Sequence, residues 1–457
     1  MKRLDVIVIG GGLLGCFTAR NLCRWDLTVA LLEAREDVCT GISRANTAVV
    51  YPGYDHKPGT LKAELTLRAN RAFGMLCADL DVPFSRCGSL MVACGEQGEA
   101  VLRKKLRNGL ESGVPELRLL KRAELLELEP ELTPEVTLGL FSPNAGTVNP
   151  WALGIAAMEN AVQNGAEFCA NTPVTAIRET EGGYLVETEG ETFFTRAIVN
   201  CAGLQSVAVQ ELVYPSPVRL RITAGDYLIL DPLTAHAPKH IVQFEPERGK
   251  GLTAVPTVEG NLLLGPSERA GSDFGTDRDG LDFVRALTRK VLPKVDLDDT
   301  IRTFAALRPN PERPDGSSIK SFVIDRPAER FWSFLGVKTP GLTCADELGL
   351  YVARQTAEAL NAKENPAFQP VRKGIPKTHA LDFAARQGLI AEDPEYGNVV
   401  CFCEDVTLAE IRAAIRAGAN TVDGVKRRVG ATMGRCQGSR CRLIIEELLR
   451  EEGVYEG

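Results

Sequence analysis

The N-terminus constrains this chain more than any other segment. Leu4 to Ile9 (Leu-Asp-Val-Ile-Val-Ile) is a short, almost unbroken apolar run, the pattern of a buried parallel strand. Gly10-Gly11-Gly12-Leu13-Leu14-Gly15 follows at once. Cys16 to Cys23 then has helical periodicity, and Thr28 to Leu32 is a second strand running into Glu33. A strand, a G-x-G-x-x-G turn, a helix, a strand and an acid in that order predict a βαβ unit that binds a dinucleotide. Gly10 permits the tight turn, Gly12 lets a pyrophosphate approach the backbone, and Gly15 lets helix and strand pack closely. Leu14 lies in the same turn. The helix N-terminus offers N–H groups and a positive dipole end to phosphate. Glu33, 23 positions after Gly10, is placed to accept hydrogen bonds from a ribose diol.

Composition narrows the rest. The 457 residues predict two to four domains. A formal net charge of −7 argues against a nucleic-acid partner, which would need a basic face. No run approaches the roughly 20 apolar residues of a spanning helix. A transmembrane protein is therefore excluded, while peripheral membrane association stays open. Met1-Lys2-Arg3 imitates a secretion signal, but the apolar stretch Val6–Ile9 is too short and glycines follow it. The expected location is the cytoplasm, with peripheral attachment to the inner face of the cell membrane compatible. The 13 cysteines are then expected as free thiols, ligands or catalytic groups rather than disulfides.

The glycine motif alone does not separate FAD from NAD. Two later segments favour FAD. Ala197 to Gly203 reads as a strand running into the small-residue turn Asn200-Cys201-Ala202-Gly203, which lets the chain pass close to a bound nucleotide. Phe331 to Val337 reads as another strand, and Thr339-Pro340-Gly341-Leu342-Thr343 opens a helix through about Leu360. A proline near the helix start and exposed N–H groups suit an anionic flavin pyrimidine. Ala202, Gly203, Gly341, Leu342 and Thr343 join Gly10, Gly12, Leu14, Gly15 and Glu33 as expected cofactor-binding residues.

These stretches resemble the D-amino-acid-oxidase superfamily of FAD-dependent oxidoreductases, in particular its glycerol-3-phosphate dehydrogenase and L-2-hydroxyglutarate oxidase branch. Further matches are Ala45–Val50, Lys57–Ala63, Gly260–Pro266 and Ala306-Leu307-Arg308-Pro309. The resemblance covers about residues 1–360. It implies an α/β fold (α+β overall). A Rossmann-like FAD-binding domain would come from 1–80, 146–210 and 321–362, and a β-sheet substrate domain from 81–145 and 211–320. It also implies that Arg308 points over the flavin and grips an anionic group, since a guanidinium pairs equally with phosphate or carboxylate. Arg44 and Lys62 are weaker candidates, expected as ordinary surface or phosphate-side charges. The family places a histidine where this chain has Tyr51, in Tyr51-Pro52-Gly53. His56, five residues on, is the substitute expected to serve as base.

The C-terminus changes character. Residues 363–398, rich in proline and charge at their start, are expected as a linker with a short helix at Ala380 to Gln387. Residues 399–457 form the last domain. Cys401-x-Cys403, then 32 residues, then Cys436-x4-Cys441 bring four thiolates from two loops. That set suits an iron–sulfur cluster or structural zinc, although zinc loops more often use C-x2-C pairs. The segment resembles the bacterioferritin-associated-ferredoxin-like [2Fe-2S] domain, and these cysteines fall on its ligand positions. The other nine cysteines are expected as buried small residues.

A flavin and a [2Fe-2S] cluster on one chain imply a relay. Hydride transfer brings two electrons, whereas the cluster takes one at a time. The expected activity is a dehydrogenase acting on a small anionic metabolite and feeding a partner protein or quinone. The first-ranked reaction is sn-glycerol 3-phosphate to dihydroxyacetone phosphate. An L-2-hydroxy acid such as 2-hydroxyglutarate is second and amino or imino acids third. An electron-transfer subunit without its own substrate chemistry is the reading of another class.

Overall fold

The computed structural model describes residues 1–246 and 251–454. Positions 247–250 and 455–457, which fall within the expected substrate and cluster domains, lie outside the described residues. The chain divides into two compact units, Met1–Arg372 and Lys373–Gly457.

In the first unit the apolar N-terminal run becomes the strand Lys2–Ile9 at the centre of an eight-stranded sheet. It pairs in parallel with Val29–Leu32 on one side and Thr192–Asn200 on the other. The parallel order continues outward to Glu167–Cys169 and to Phe331–Phe334. Side chains alternate across the sheet, and both faces are buried. Val6 and Val8 join one core cluster with Phe17, Leu22, Leu153 and Leu348, and Ile7 and Ile9 join another with Val186, Ile198 and Phe331. This explains why the strand shows no hydrophobic–polar alternation. Three helices, Leu13–Leu22, Pro150–Gln163 and Gly341–Leu360, pack together on the first face.

A second, nine-stranded sheet is mostly antiparallel. Its longest ladder pairs Arg219–Leu230 with Thr300–Glu312. The run Leu252 to Leu264 folds as a hairpin, Thr253–Pro256 against Leu262–Gly265. The helix Arg278–Val291, within the stretch Thr276 to Leu292 whose sequence pattern predicts a covering helix, buries Val284 and Val291 against this sheet. A small sheet of Val49–Val50, Gly146–Val148 and Phe84–Ser85 completes the strands of this unit.

The expected linker needs correction. Residues 363–372 are fastened to the first unit. Asp26 N–H donates to the Lys363 carbonyl (2.8 Å), Asn365 N–H to that of Arg24 (2.8 Å), and Arg372 pairs with Glu159 (2.5 Å). Residues 373–398 belong to the second unit. There the Thr378 hydroxyl donates to Glu410 (2.8 Å), and the helix is Phe383–Glu392 because Asp382 caps it. Beyond it, Val399–Cys401 and Val406–Thr407 pair as two short strands. The helices Leu408–Arg416, Val422–Val429 and Arg442–Glu451 then close a core of Ile411, Val425, Ile445 and Leu449. Thr407 and Glu410 form the reciprocal cap that their spacing predicts. Among the described residues no helix is long and apolar enough to cross a membrane.

Candidate functional site

The glycine turn, the segment 42–56, the strand Thr300–Glu312 and the start of the helix Gly341–Leu360 surround a cavity of about 680 Å³. Gly10 has φ +103°, and a Cβ there would stand 2.7 Å from the Cys201 carbonyl oxygen. The turn Asn200–Gly203 thus presses against the glycine turn. A Cβ on Gly15 would overlap the Gly10 carbonyl, so only glycine lets the helix sit on the strand. Gly12, Leu14, Gly203, Gly341 and Leu342 line the cavity; Gly10 and Gly15 shape it from behind. Ser43, unnoticed in the sequence, accepts the Leu13 N–H on its hydroxyl (2.9 Å).

Glu33 ends its strand against the turn. One carboxylate oxygen accepts the Gly11 N–H (2.6 Å) and the other the Arg35 N–H (2.9 Å). Ala202 is half-buried beside Gly203 and does not line the cavity. Thr343 departs from expectation. Its side chain is buried, accepting the Tyr51 N–H (3.0 Å) and donating to the Val49 carbonyl (3.5 Å). The hydroxyl therefore clamps the helix to the strand Val49–Val50. The backbone N–H groups of Leu342 and Thr343 precede the first helical bond, Cys344 N–H to Pro340 O, and of the two residues Leu342 lines the cavity.

Arg308 lines the same cavity. Strand periodicity puts Ala306, Arg308 and Asn310 on one face. The guanidinium hydrogen-bonds the buried Tyr227 hydroxyl, and Tyr227 stacks on Phe304 at 4.7 Å between ring centres. Across the ladder, Gly225 leaves room for the guanidinium: a Cβ there would be 2.9 Å from an Arg308 Nη. Lys338, which the sequence reading missed, donates to Asn310 Oδ1 (2.6 Å) in the same cavity. Burial lowers the Lys338 pKa, and the charges of Lys320, Arg221 and Arg308 lower it further.

Lys62 corrects another expectation. It is buried rather than a surface charge, and burial together with Lys338 pushes its pKa down to about 8. Arg44 stacks over Phe274 at 5.2 Å.

Tyr51 and His56 both line the cavity, with opposite electrostatics. Burial pushes the Tyr51 hydroxyl up to about 12, so it keeps its proton. Burial, assisted by Lys62, pushes His56 down to about 4, so its imidazole is neutral at ordinary pH. The His56 Nε2 is buried with no hydrogen-bond partner among the described residues. Next to it, Asp55 is held by Lys105 at 2.5 Å, and both line the cavity.

In the second unit the structure brings the four cysteines together as two contacting pairs, Cys403 with Cys436 and Cys401 with Cys441. Among the described residues no three ligand-type side chains close into a metal-holding group. Cys401 and Cys441 are buried, Cys436 is half-buried and Cys403 is exposed. Burial disfavours the Cys436 thiolate, but hydrogen bonds from Cys403, the Gly438 and Arg440 N–H groups and the Ser439 hydroxyl outweigh it and lower its pKa. Gly434 is what lets the two loops meet, since a Cβ there would collide with that of Cys403. Four soft thiols with N–H donors around them fit an iron–sulfur cluster. Of the other nine cysteines six are buried, while Cys87, Cys94 and Cys169 are only half-buried.

A Rossmann-like sheet, a cavity over its glycine turn and an appended four-cysteine unit define a flavin-dependent oxidoreductase with an iron–sulfur module. Residues 5–355 match the FAD dependent oxidoreductase (DAO) family, and the chain belongs to it. Residues 399–451 match the BFD-like [2Fe-2S] binding domain, so the two cofactors are FAD and a [2Fe-2S] cluster.

The chain is 37% identical to a glycerol 3-phosphate dehydrogenase of Caloramator mitchellensis, over 98% of this chain and 95% of that one. It is 26% identical to the mitochondrial L-2-hydroxyglutarate dehydrogenase of Homo sapiens, over 71% of this chain and 81% of that one. Among solved structures, the dithionite-reduced L-α-glycerophosphate oxidase of Mycoplasma pneumoniae with FAD bound superposes with a TM-score of 0.73. It is 25% identical, covering 81% of this chain and 99% of that one.

Proposed function

We propose that this protein oxidises sn-glycerol 3-phosphate to dihydroxyacetone phosphate and passes the electrons through its [2Fe-2S] cluster to a partner protein or quinone. The observation that carries this reading is the crowding of cations around Lys338 at a cavity that Asp55, Glu245 and Glu268 also line. Arg308 and Lys338 line it, and Lys62, Lys320 and Arg221 act on Lys338 or are acted on by it. Mutual repulsion of this kind is relieved by a compact dianion. The 37%-identical glycerol 3-phosphate dehydrogenase supports phosphate as that dianion.

Bound FAD supplies the two-electron acceptor for the hydrogen on the carbinol carbon. The glycine turn with Gly12, Glu33, the Gly203 turn and the N–H groups of Leu342 and Thr343 would hold it. Arg308 and Lys338 hold the phosphate and so fix the carbinol in the cavity. His56, neutral and with Nε2 unpartnered, accepts the hydroxyl proton as the hydride leaves. Tyr51 keeps its proton and donates a hydrogen bond. Cys401, Cys403, Cys436 and Cys441 would ligate the cluster.

Anaerobic titration tests the reading. Glycerol 3-phosphate should bleach the flavin absorbance, and L-2-hydroxyglutarate and proline should not. Bleaching by 2-hydroxyglutarate alone would move the assignment to the hydroxy-acid branch. Bleaching by no alcohol, hydroxy acid or amine would favour an electron-transfer subunit.

A further inference from the structure

We propose that Asp55 and Lys105 receive the substrate's terminal hydroxyl, the one that does not react, and so select a vicinal diol phosphate over a hydroxy acid. The proposal rests on the reading of this cavity as a glycerol 3-phosphate site with Arg308 and Lys338 at the phosphate. Asp55 and Lys105 both line the cavity. Lys105 donates to one Asp55 carboxylate oxygen, Oδ1, at 2.5 Å. The other, Oδ2, is buried with no hydrogen-bond partner among the described residues. The same holds for Nε2 of the adjacent His56.

Local packing builds this corner. Lys105 sits on the helix Glu96–Glu111. Gly109 lets that helix lie against Tyr54, since a Cβ there would stand 2.8 Å from the Tyr54 Cβ. The buried Tyr54 donates its hydroxyl to Gln243 Oε1 (2.9 Å), and Gln243 lines the cavity. A salt bridge that served only to pin the helix would gain by filling both carboxylate oxygens. Buried ion pairs repay their desolvation only when the remaining lone pairs are satisfied. The unfilled oxygen therefore marks a place for a donor that arrives with the substrate.

The chemistry of that donor follows from its surroundings. A hydroxyl can donate to Asp55 Oδ2 and accept from the Lys105 ammonium. A carboxylate can only accept, and it would meet the charges of Asp55 and of Glu245, which also lines the cavity. An ammonium can only donate, and it would meet Lys105. Two acceptors on adjacent residues, His56 for the reacting hydroxyl and Asp55 for its neighbour, match two hydroxyls on adjacent carbons. Burial is the first influence on the Tyr51 hydroxyl; Asp55 raises its pKa further and Arg308 lowers it. The anionic and cationic ends of the cavity thus lie within electrostatic reach of one group. A small molecule with a phosphate at one end and a hydroxyl at the other answers both.

The test begins with the unmodified holoprotein. Anaerobic flavin bleaching and steady-state rates with an artificial acceptor are measured for glycerol 3-phosphate and for 2-hydroxypropyl phosphate of matching configuration, which lacks only the terminal hydroxyl. The ratio of kcat/KM should favour glycerol 3-phosphate at least about 100-fold, since the analogue leaves buried polar groups unpaired. 3-Phosphoglycerate, with a carboxylate in place of the terminal CH2OH, should be a weak competitive inhibitor. In Asp55→Asn the pattern should cross over. For glycerol 3-phosphate kcat/KM should fall about tenfold or more, for 2-hydroxypropyl phosphate it should not fall, and 3-phosphoglycerate should bind about tenfold more tightly. Asp55→Asn combined with Lys105→Gln, which keeps the contact neutral, should show the same crossover between the two oxidised phosphates.

Equal kcat/KM for the two phosphates in the unmodified protein overturns the hydroxyl pocket and leaves the glycerol 3-phosphate reading in place; this arm needs no variant to fold. A parallel loss of both substrates in a variant that melts like the unmodified protein makes the ion pair a structural pin and also overturns the pocket. Bleaching by L-2-hydroxyglutarate but not by glycerol 3-phosphate strikes the functional reading and the pocket with it.

Discussion

The His56 assignment makes a quantitative demand on pH behaviour. Burial and the nearby Lys62 charge take its pKa from 6.5 to about 4. That is about 2.5 units, or on the order of 3 kcal/mol at about 1.36 kcal/mol per unit. The sign follows from proton binding. The unfolded chain takes a proton at His56 as pH drops through 6.5, and the folded chain refuses it until about 4. Stability from this group is therefore complete above 6.5, is lost progressively as pH falls towards 4, and changes no further below that.

The four histidines make the measurement direct. Isotope-labelled imidazoles give four signals by nuclear magnetic resonance, and His56→Gln identifies the one that matters. It should remain neutral at pH 5 and titrate near 4. In Lys62→Met the midpoint should rise, because a repelling cation has gone. A His56 midpoint at or above 6.5 in the folded protein would refute the argument. Burial and Lys62 would then not be lowering the imidazole at all, and the reasoning from desolvation would fail.

Arg308→Ala should raise KM for glycerol 3-phosphate about 100-fold, the loss of a charge-assisted paired contact, with a much smaller change in kcat. An unchanged KM in steady-state assays removes the anchor. Gly225→Ala places a methyl 2.6 Å from the Ser267 carbonyl oxygen and 2.9 Å from the Arg308 guanidinium, so backbone and guanidinium must both shift, raising KM roughly tenfold and lowering Tm; substrate titration of flavin bleaching and thermal melting check this. Gly15→Ala drives a methyl into the Gly10 carbonyl and should cost flavin content and lower Tm by several degrees or more, read by absorbance and thermal melting. Cys441→Ser should remove the cluster's paramagnetic signal while glycerol 3-phosphate still bleaches the flavin anaerobically; loss of both would mean that the two centres do not work in series as proposed.

The elements that local pattern specifies were legible. The strand–glycine turn–helix–strand unit, the Thr407–Glu410 cap and the helix at Arg278–Val291 follow from short-range periodicity and capping. The linker was misread because its prolines and charges look the same free in water or hydrogen-bonded to Arg24, Asn164 and Glu159. Lys62 was misread for a similar reason: sequence reveals a lysine but not the Phe322 ring under it, 5.1 Å away, or Lys338 beside it. Lys338 had a faint signal, one residue before the Thr339–Thr343 helix start. Asn310 had another, two residues along the strand from Arg308.

The amino-acid order by itself settled the glycine turn and the acid beside it, because each is a local geometry that few residue types can adopt. It could not settle which charges share a cavity, nor the state in which each waits. The neutrality of His56, the persistent proton on Tyr51 and the crowding of Lys338 against Arg308 arise from desolvation and Coulomb forces among residues far apart in the chain. Only folding brings those residues within range of one another.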